Sequence, residues 1–336
     1  MVAAQLSERG SGTSRDCAFP GWGSGADCGG AWALTHLASL LYMRSDFPAM
    51  RSRAEEALAI WRQLGHEGRS GLALALWTLG DVVMEEGDYE RALVLLQESL
   101  EIYRELNDPG GIGIALMLVG RAAMRMGNYI EATTYLQEFL ALAQQSGDNR
   151  NTAFALSGLG EVALHQGRHD RAIALLEEAL RLNRAIGYNW GVATILGSLG
   201  WVALDQHDYV RMRANLGESL SIRMQLGDQG GIAWCLEKLA EAALVQGETA
   251  TAAIRLERYL TATRVLAAAA GIRAPINSSI DAADQPAYER NLATLRTGLG
   301  EAAFTAAWAE GGTMSLVAVI ACALAEPAPM GEGHPT

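Results

Sequence analysis

The amino-acid sequence predicts an all-α solenoid of about six helix-turn-helix repeats, stacked side by side and finished by a C-terminal helical cap. Three observations predict it. The segment ALWTLGDVVMEEGDYERALVLLQESL recurs at a fixed interval of 40 residues, which puts leucine at 76, 116, 156, 196 and 236 and again at 96, 136, 176, 216 and 256. Within one copy Leu76, Leu79, Gly80 and Val83 stand at i, i+3, i+4 and i+7, one face of an α-helix. Each copy is also punctuated by a turn signal such as Glu86-Gly87-Asp88, where glycine ends one helix and aspartate caps the next.

The elements follow in chain order. Residues 1–30 break the repeat, and the glycine-rich stretch GWGSGADCGG at 21–30 predicts a disordered N-terminal segment with no helix. The array covers 31–266, with copies at about 31–67, 71–108, 111–148, 151–188, 191–228 and 231–268. The first copy is read from LASLLYMRSDF at 37–47, which aligns with LGDVVMEEGDY at 79–89 after a spacer two residues longer.

In the second copy, helix A carries Leu76 to Val83, and helix B is expected from Tyr89 to about Leu106. The run Asn107-Asp108-Pro109-Gly110-Gly111 then ends helix B. Small residues recur at Gly80, Gly120, Gly160, Gly200 and Ala240 and at Ala92, Ala132, Ala172 and Ala252, with Met212 the exception. They let the paired helices approach toward the lower end of the roughly 8–10 Å packing range, with Leu96 and Leu100 filling the space beside them. The turn glycine is replaced once, by His207. One such pair cannot bury its apolar stripe alone, so the copies must stack.

Beyond the array, 269–286 reads as a linker and 287–326 as capping helices. Pro286 sits in the first turn of a helix reaching Leu299, and MSLVAVIACALA at 314–325 forms a terminal helix. That run is too short for a membrane span, which needs about 18–20 apolar residues. Residues 327–336 form a flexible tail.

Composition narrows the function classes. Of 336 residues, 50% are hydrophobic and 19% charged, enough to bury a large core. The net charge is -12 and the sole lysine is Lys238, so phosphate backbones and anionic membranes are repelled; neither nucleic acid nor membrane is an expected partner. The start, MVAAQLSERG, has no cationic segment leading into an apolar run, which predicts a cytoplasmic protein. Cys17, Cys28, Cys235 and Cys322 lack CxxC spacing, which argues against both a disulfide framework and a zinc site.

No constellation for catalysis emerges, and no metal or cofactor is expected. Neighbours such as Glu85 and Glu86 point about 100° apart on a helix. His165 and His169 have metal-ligand spacing, but Gly167 interrupts the helix that spacing requires. Ser278 and Ser279 lie in a loop with neither a local histidine nor an elbow glycine.

The motif Leu76-x2-Leu79-Gly80-x2-Val83 followed by Ala92-x3-Leu96 resembles the tetratricopeptide repeat, W-x2-L-G-x2-Y then A-x3-F, over residues 31–266. The 40-residue period is similar to the variant in kinesin light chains, spindle-orientation adaptors and bacterial regulators. Tyr288-Glu289-Arg290, Leu295-Arg296 and LGEAAFTAAWAEGGTMSL at 299–316 resemble the tail that follows such repeats in bacterial regulators with NB-ARC-type ATPase and LuxR-type modules. No GxxxxGK[ST] motif accompanies them here.

The resemblance implies a right-handed superhelix whose A helices line a concave groove that takes a protein or peptide partner. The groove candidates are Trp77, Asp81 and Met84, then Met117 and Arg121, Phe154 and Glu161, Trp201, and Trp234 and Glu237. Trp32, Thr35, Ser39 and Tyr42 are the equivalents in the first copy. Tryptophan and methionine supply adaptable contact area, as partner surfaces do. The asparagine that often follows the Trp77 position in such adaptors is replaced by Thr78, Leu118, Gly158, Ser198 and Lys238, so side-chain burial has to supply the affinity. The function so implied is a non-enzymatic interaction scaffold in bacterial transcription or signalling. The alternative is a small-ligand sensor whose superhelix closes on an inducer.

Overall fold

The computed structural model describes residues 26–42, 47–276, 280 and 284–325. Residues 1–25 and 326–336, which include Cys17 and the expected tail, lie outside the described residues, as do Ser278 and Ser279. Among those described, every regular element is helical, and the expected all-α solenoid of repeated helix pairs is the fold observed.

The chain divides into two compact units, 1–168 and 169–336. The N-terminal unit holds α1 (Ala26–Tyr42), α2 (Phe47–Leu64), α3 (Arg69–Glu85), α4 (Tyr89–Glu105), α5 (Pro109–Arg125), α6 (Tyr129–Gln145) and α7 (Asn149–His165). The C-terminal unit holds α8 (His169–Ala185), α9 (Asn189–Asp205), α10 (Tyr209–Leu226), α11 (Gln229–Glu248), α12 (Ala252–Arg273), α13 (Gln285–Leu299), α14 (Glu301–Thr313) and α15 (Leu316–Leu324). The helix starts at 69, 109, 149, 189 and 229 and at 89, 129, 169 and 209 keep the 40-residue interval.

The turns show why. Asp88 N–H donates to Val83 O at 3.1 Å and Gly87 N–H to Met84 O at 3.0 Å, which closes the end of α3. Gly87 takes φ 88°, the left-handed region. The Asp88 carboxylate then accepts from Arg91 N–H at 3.2 Å and caps α4. His207, in the place of a turn glycine, adopts the same left-handed conformation at φ 58°.

In each unit the small positions receive a large neighbour. A β-carbon at Gly200 would lie 2.7 Å from Leu216 Cγ, and one at Gly120 would lie 2.9 Å from Leu136 Cγ. Leu76, Leu79, Leu96 and Leu116 are buried in the N-terminal core; Leu216, Leu220, Leu236 and Tyr259 are buried in the C-terminal one. Ser99 Oγ donates to Ala73 O at 2.8 Å, and its repeat equivalent Ser219 Oγ donates to Ala193 O at 2.7 Å, so a hydroxyl joins helix B to helix A in both units. Ion pairs run between successive copies, as Arg104–Glu138 at 2.7 Å from α4 to α6 and Arg184–Glu218 at 2.8 Å from α8 to α10. Exposed pairs of this kind contribute at most about 1 kcal/mol each.

Three expectations are corrected. Helix α1 begins at Ala26, inside the glycine-rich stretch expected to be disordered, because Cys28 and Ala31 bury their side chains in the core. Cys28 is disulfide-bonded although the cysteine spacing argued against a disulfide framework, while Cys235 and Cys322 carry free thiols.

The run 107–111 ends helix B as expected: α4 stops at Glu105, and Pro109 to Gly111 then form the first turn of α5, with Asp108 accepting from Gly110 N–H at 3.0 Å. Gly111 is needed there because a β-carbon would lie 2.1 Å from the Tyr103 ring. Finally, 269–286 is not linker throughout: α12 runs on to Arg273, since Val265, Leu266 and Ala269 are buried and anchor its second half.

Pro286 does stand in the first turn of α13. Helices α13, α14 and α15 pack against α12, with α14 crossing where a β-carbon at Gly311 would lie 2.2 Å from Arg264 O. In α15, Leu316, Ile320 and Leu324 lie against the C-terminal core.

Candidate functional site

In the N-terminal unit the A helices α1, α3, α5 and α7 form one row, each against the next. Trp77 on α3, Met117 on α5 and Phe154 on α7 are half-buried, each packed by one side on the core. Ile114, on α5, is 36% exposed. The apolar band therefore crosses three helices while keeping accessible surface.

Charges border that band. Arg121 on α5 reaches back to α3, with Nη2 3.0 Å from Glu85 Oε1 and Nη1 3.7 Å from Asp81 Oδ1. Asp81 is buried, and burial pushes its carboxyl up to about 6; Arg121 opposes the shift and Glu85 adds to it. Glu161 is half-buried on α7. The first copy's Trp32 stacks on His36 with centroids 5.6 Å apart and meets Trp61 edge-on at 5.3 Å. Thr35 is buried and donates to Ala31 O, so it faces inward.

Met84 is corrected: at 4% exposure it belongs to the packed interior of its unit and offers no surface. Its equivalents Leu204 and Leu244 are buried in the same way in the C-terminal unit. This position lies in the last turn of helix A, beside the seam, and neighbouring helices cover it. The residues after the Trp77 position also turn inward. Thr78 is fully buried and donates to Leu74 O at 2.8 Å, and Leu118 is buried, because one residue on a helix rotates the side chain by about 100°.

In the C-terminal unit the sequence-predicted residues come together differently. Trp201 on α9 and Trp234 on α11 meet edge-on with centroids 6.5 Å apart, and a β-carbon at Gly197 would lie 3.0 Å from Trp234. The Lys238 ammonium sits 4.6 Å from the centroid of Trp201 and 5.8 Å from that of Trp234. It also pairs with Glu241 at 3.3 Å and Asp284 at 3.4 Å. Burial alone would lower the pKa of this amine, but the two carboxylates outweigh it and hold it above its ordinary value.

Glu237 is engaged by Arg273 in a two-point pair, with Nε 2.7 Å from Oε1 and Nη2 2.9 Å from Oε2. Tyr288 lies close enough for both charges to act on its hydroxyl, whose pKa burial raises. Reading the sequence missed Asp284 and Arg273. Their partners stand 46 and 36 residues away, outside any helical spacing, and the one available signal was that Lys238 is the chain's sole lysine.

The remaining candidates for chemistry are placed apart. His165 stacks on Tyr129 at 5.5 Å, while His169 Nε2 lies 3.4 Å from Asp205. Among the described residues, no group of three or more His, Cys, Asp or Glu side chains is placed to hold a metal ion, and no helix is long and apolar enough to cross a membrane. The arrangement offers an apolar band with charged borders in one unit and an aromatic box around a cation in the other.

The tetratricopeptide repeat family model matches residues 31–105 and 111–185. No curated protein matches the chain. Among solved structures, a Rap protein complexed with Competence and Sporulation Factor is similar, with a TM-score of 0.58 at 14% identity over 81% of this chain and 76% of that one. Aspartyl phosphate phosphatase F from Bacillus subtilis gives 0.55 at 11% identity over 82% and 73%. BtubC (BKLC) from P. vanneervenii gives 0.51 at 20% identity over 70% and 94%. These likenesses show the fold, and a shared fold does not carry a shared function.

Proposed function

We propose that the chain is a non-enzymatic interaction scaffold whose A-helix row in the N-terminal unit, the lining of a concave groove, binds a peptide or helix of a partner protein. One observation carries this reading: Trp77, Met117 and Phe154 stand half-buried on three successive A helices, with Arg121 and Glu161 on the same helices; Asp81, expected to line the groove, is buried and leaves it to them. A solenoid closes its core with leucine and alanine, so large half-exposed groups on this row are surplus to packing and supply contact area. Arg121 and Glu161 would orient a partner more than they would hold it.

The fold likeness to a Rap protein solved with Competence and Sporulation Factor supports a partner-binding role. A regulatory arm in bacterial transcription or signalling, working in the cytoplasm, is the setting we propose from the resemblance of residues 299–316 to the tails of bacterial regulators.

The test compares wild type with Trp77→Ala/Met117→Ala/Phe154→Ala as baits in native lysate, with thermal unfolding as the check on folding. The reading expects a protein retained by wild type and lost by a still-folded variant. Recovery of the same proteins by both would end it.

A further inference from the structure

In the C-terminal unit α13 and α15 lie against the A helix α11. Five aspartates at helix starts, Asp88, Asp108, Asp148, Asp208 and Asp228, accept a hydrogen bond from the first turn of the helix they precede. Asp284 precedes α13 in the same way but makes no such bond; its carboxylate reaches Lys238 on α11 instead. A residue type that normally caps its own helix is here spent on a contact 46 residues away.

The helix behind it is loosely held. Leu295 is the single fully buried side chain of α13, with Tyr288, Leu292 and Leu299 half-buried against the core, whereas α11 buries ten. Elements with few buried apolar groups open locally at low free energy. Lys238 cannot follow: it is 6% exposed, clamped between Trp201 and Trp234. Loss of Asp284 would leave it with Glu241 as its one carboxylate partner, and a buried cation short of a counter-charge is costly, which favours a new anionic partner there.

We propose that Asp284 and the start of α13 form an intramolecular latch on the A-helix face of the C-terminal unit, and that opening it exposes Lys238 as the anchor for the carboxylate of a helical segment built like residues 284–299. The bound segment in this structure is the chain's own. Tethering makes it a strong competitor, since a linked segment acts at a high effective concentration. The proposal goes beyond the N-terminal face and stands without it, because its probe is a piece of this chain.

The experiment titrates full-length protein with a fluorescein-labelled peptide of residues 284–299, read by anisotropy. Asp284→Ala is expected to bind the peptide at least tenfold more tightly than wild type. That gain should vanish in Asp284→Ala/Lys238→Met, and also when the peptide carries alanine at the Asp284 position. Equal affinity of wild type and Asp284→Ala overturns the proposal, as does tight binding of the alanine-bearing peptide, which needs no second variant to fold. Unfolding of Asp284→Ala by circular dichroism would overturn it too, since a latch must open without dissolving its unit.

Discussion

Leu96 lies on the backbone of Gly80: a β-carbon at that glycine would stand 2.7 Å from Leu96 Cγ and 2.8 Å from Cδ2. The pair joins helix A to helix B of one copy, and Leu136 with Gly120 and Leu216 with Gly200 repeat it. Gly120→Leu should therefore destabilise the protein by about 2–3 kcal/mol through overpacking. Glu98→Ala should cost under about 0.5 kcal/mol, since Glu98 makes an exposed ion pair with Arg62 at 3.6 Å. Chemical denaturation of both variants checks the contrast, and equal costs would refute the register.

Tyr103 and Gly111 form a second complementary pair, across the connection between copies. Gly111→Ala is expected to cost about 1–3 kcal/mol, because the added carbon would strike the Tyr103 ring. In Tyr103→Ala the ring is gone, so the added cost of Gly111→Ala should fall by about 1 kcal/mol or more. A double-mutant cycle on unfolding free energies measures this coupling.

His207 holds a left-handed backbone that costs an L-residue about 1–2 kcal/mol. His207→Gly removes that strain, offset in part by glycine's greater unfolded freedom and by loss of the contact between His207 Nδ1 and Tyr209 Oη at 3.1 Å. The net expectation is a gain of about 0.5–1 kcal/mol. An unchanged or lowered melting temperature would show that the tyrosine contact outweighs the strain.

Asp81 makes stability depend on pH. Its folded pKa, about 6, lies above the ordinary 3.8, so between those values the folded chain holds the proton more tightly than the unfolded one. Stability from this group is full below pH 3.8 and is lost as pH rises through 6. Asp81→Asn resembles the protonated form and should be more stable than wild type by about 1–3 kcal/mol at pH 7.5. The difference should shrink toward zero near pH 4. Unfolding curves for both proteins across that range decide it, and a pH-independent gap would show that Asp81 is not the titrating group.

The sequence by itself determined the repeat. A 40-residue interval with leucines at three-and-four spacing dictates two helices per copy, and the positions of Gly87 and Asp88 place the turn, because such preferences act over a few residues and need no distant partner. Trp77, Met117 and Phe154 could likewise be placed on one face from spacing alone. Only the tertiary structure decided how much surface each keeps. It buried Met84, drew Cys28 into α1 and the core, extended α12 to Arg273, and gathered Asp284 with Lys238 and Arg273 with Glu237. Those outcomes depend on which helices lie against one another, and pairings over 36 to 46 residues leave no mark on the local periodicity of a single chain.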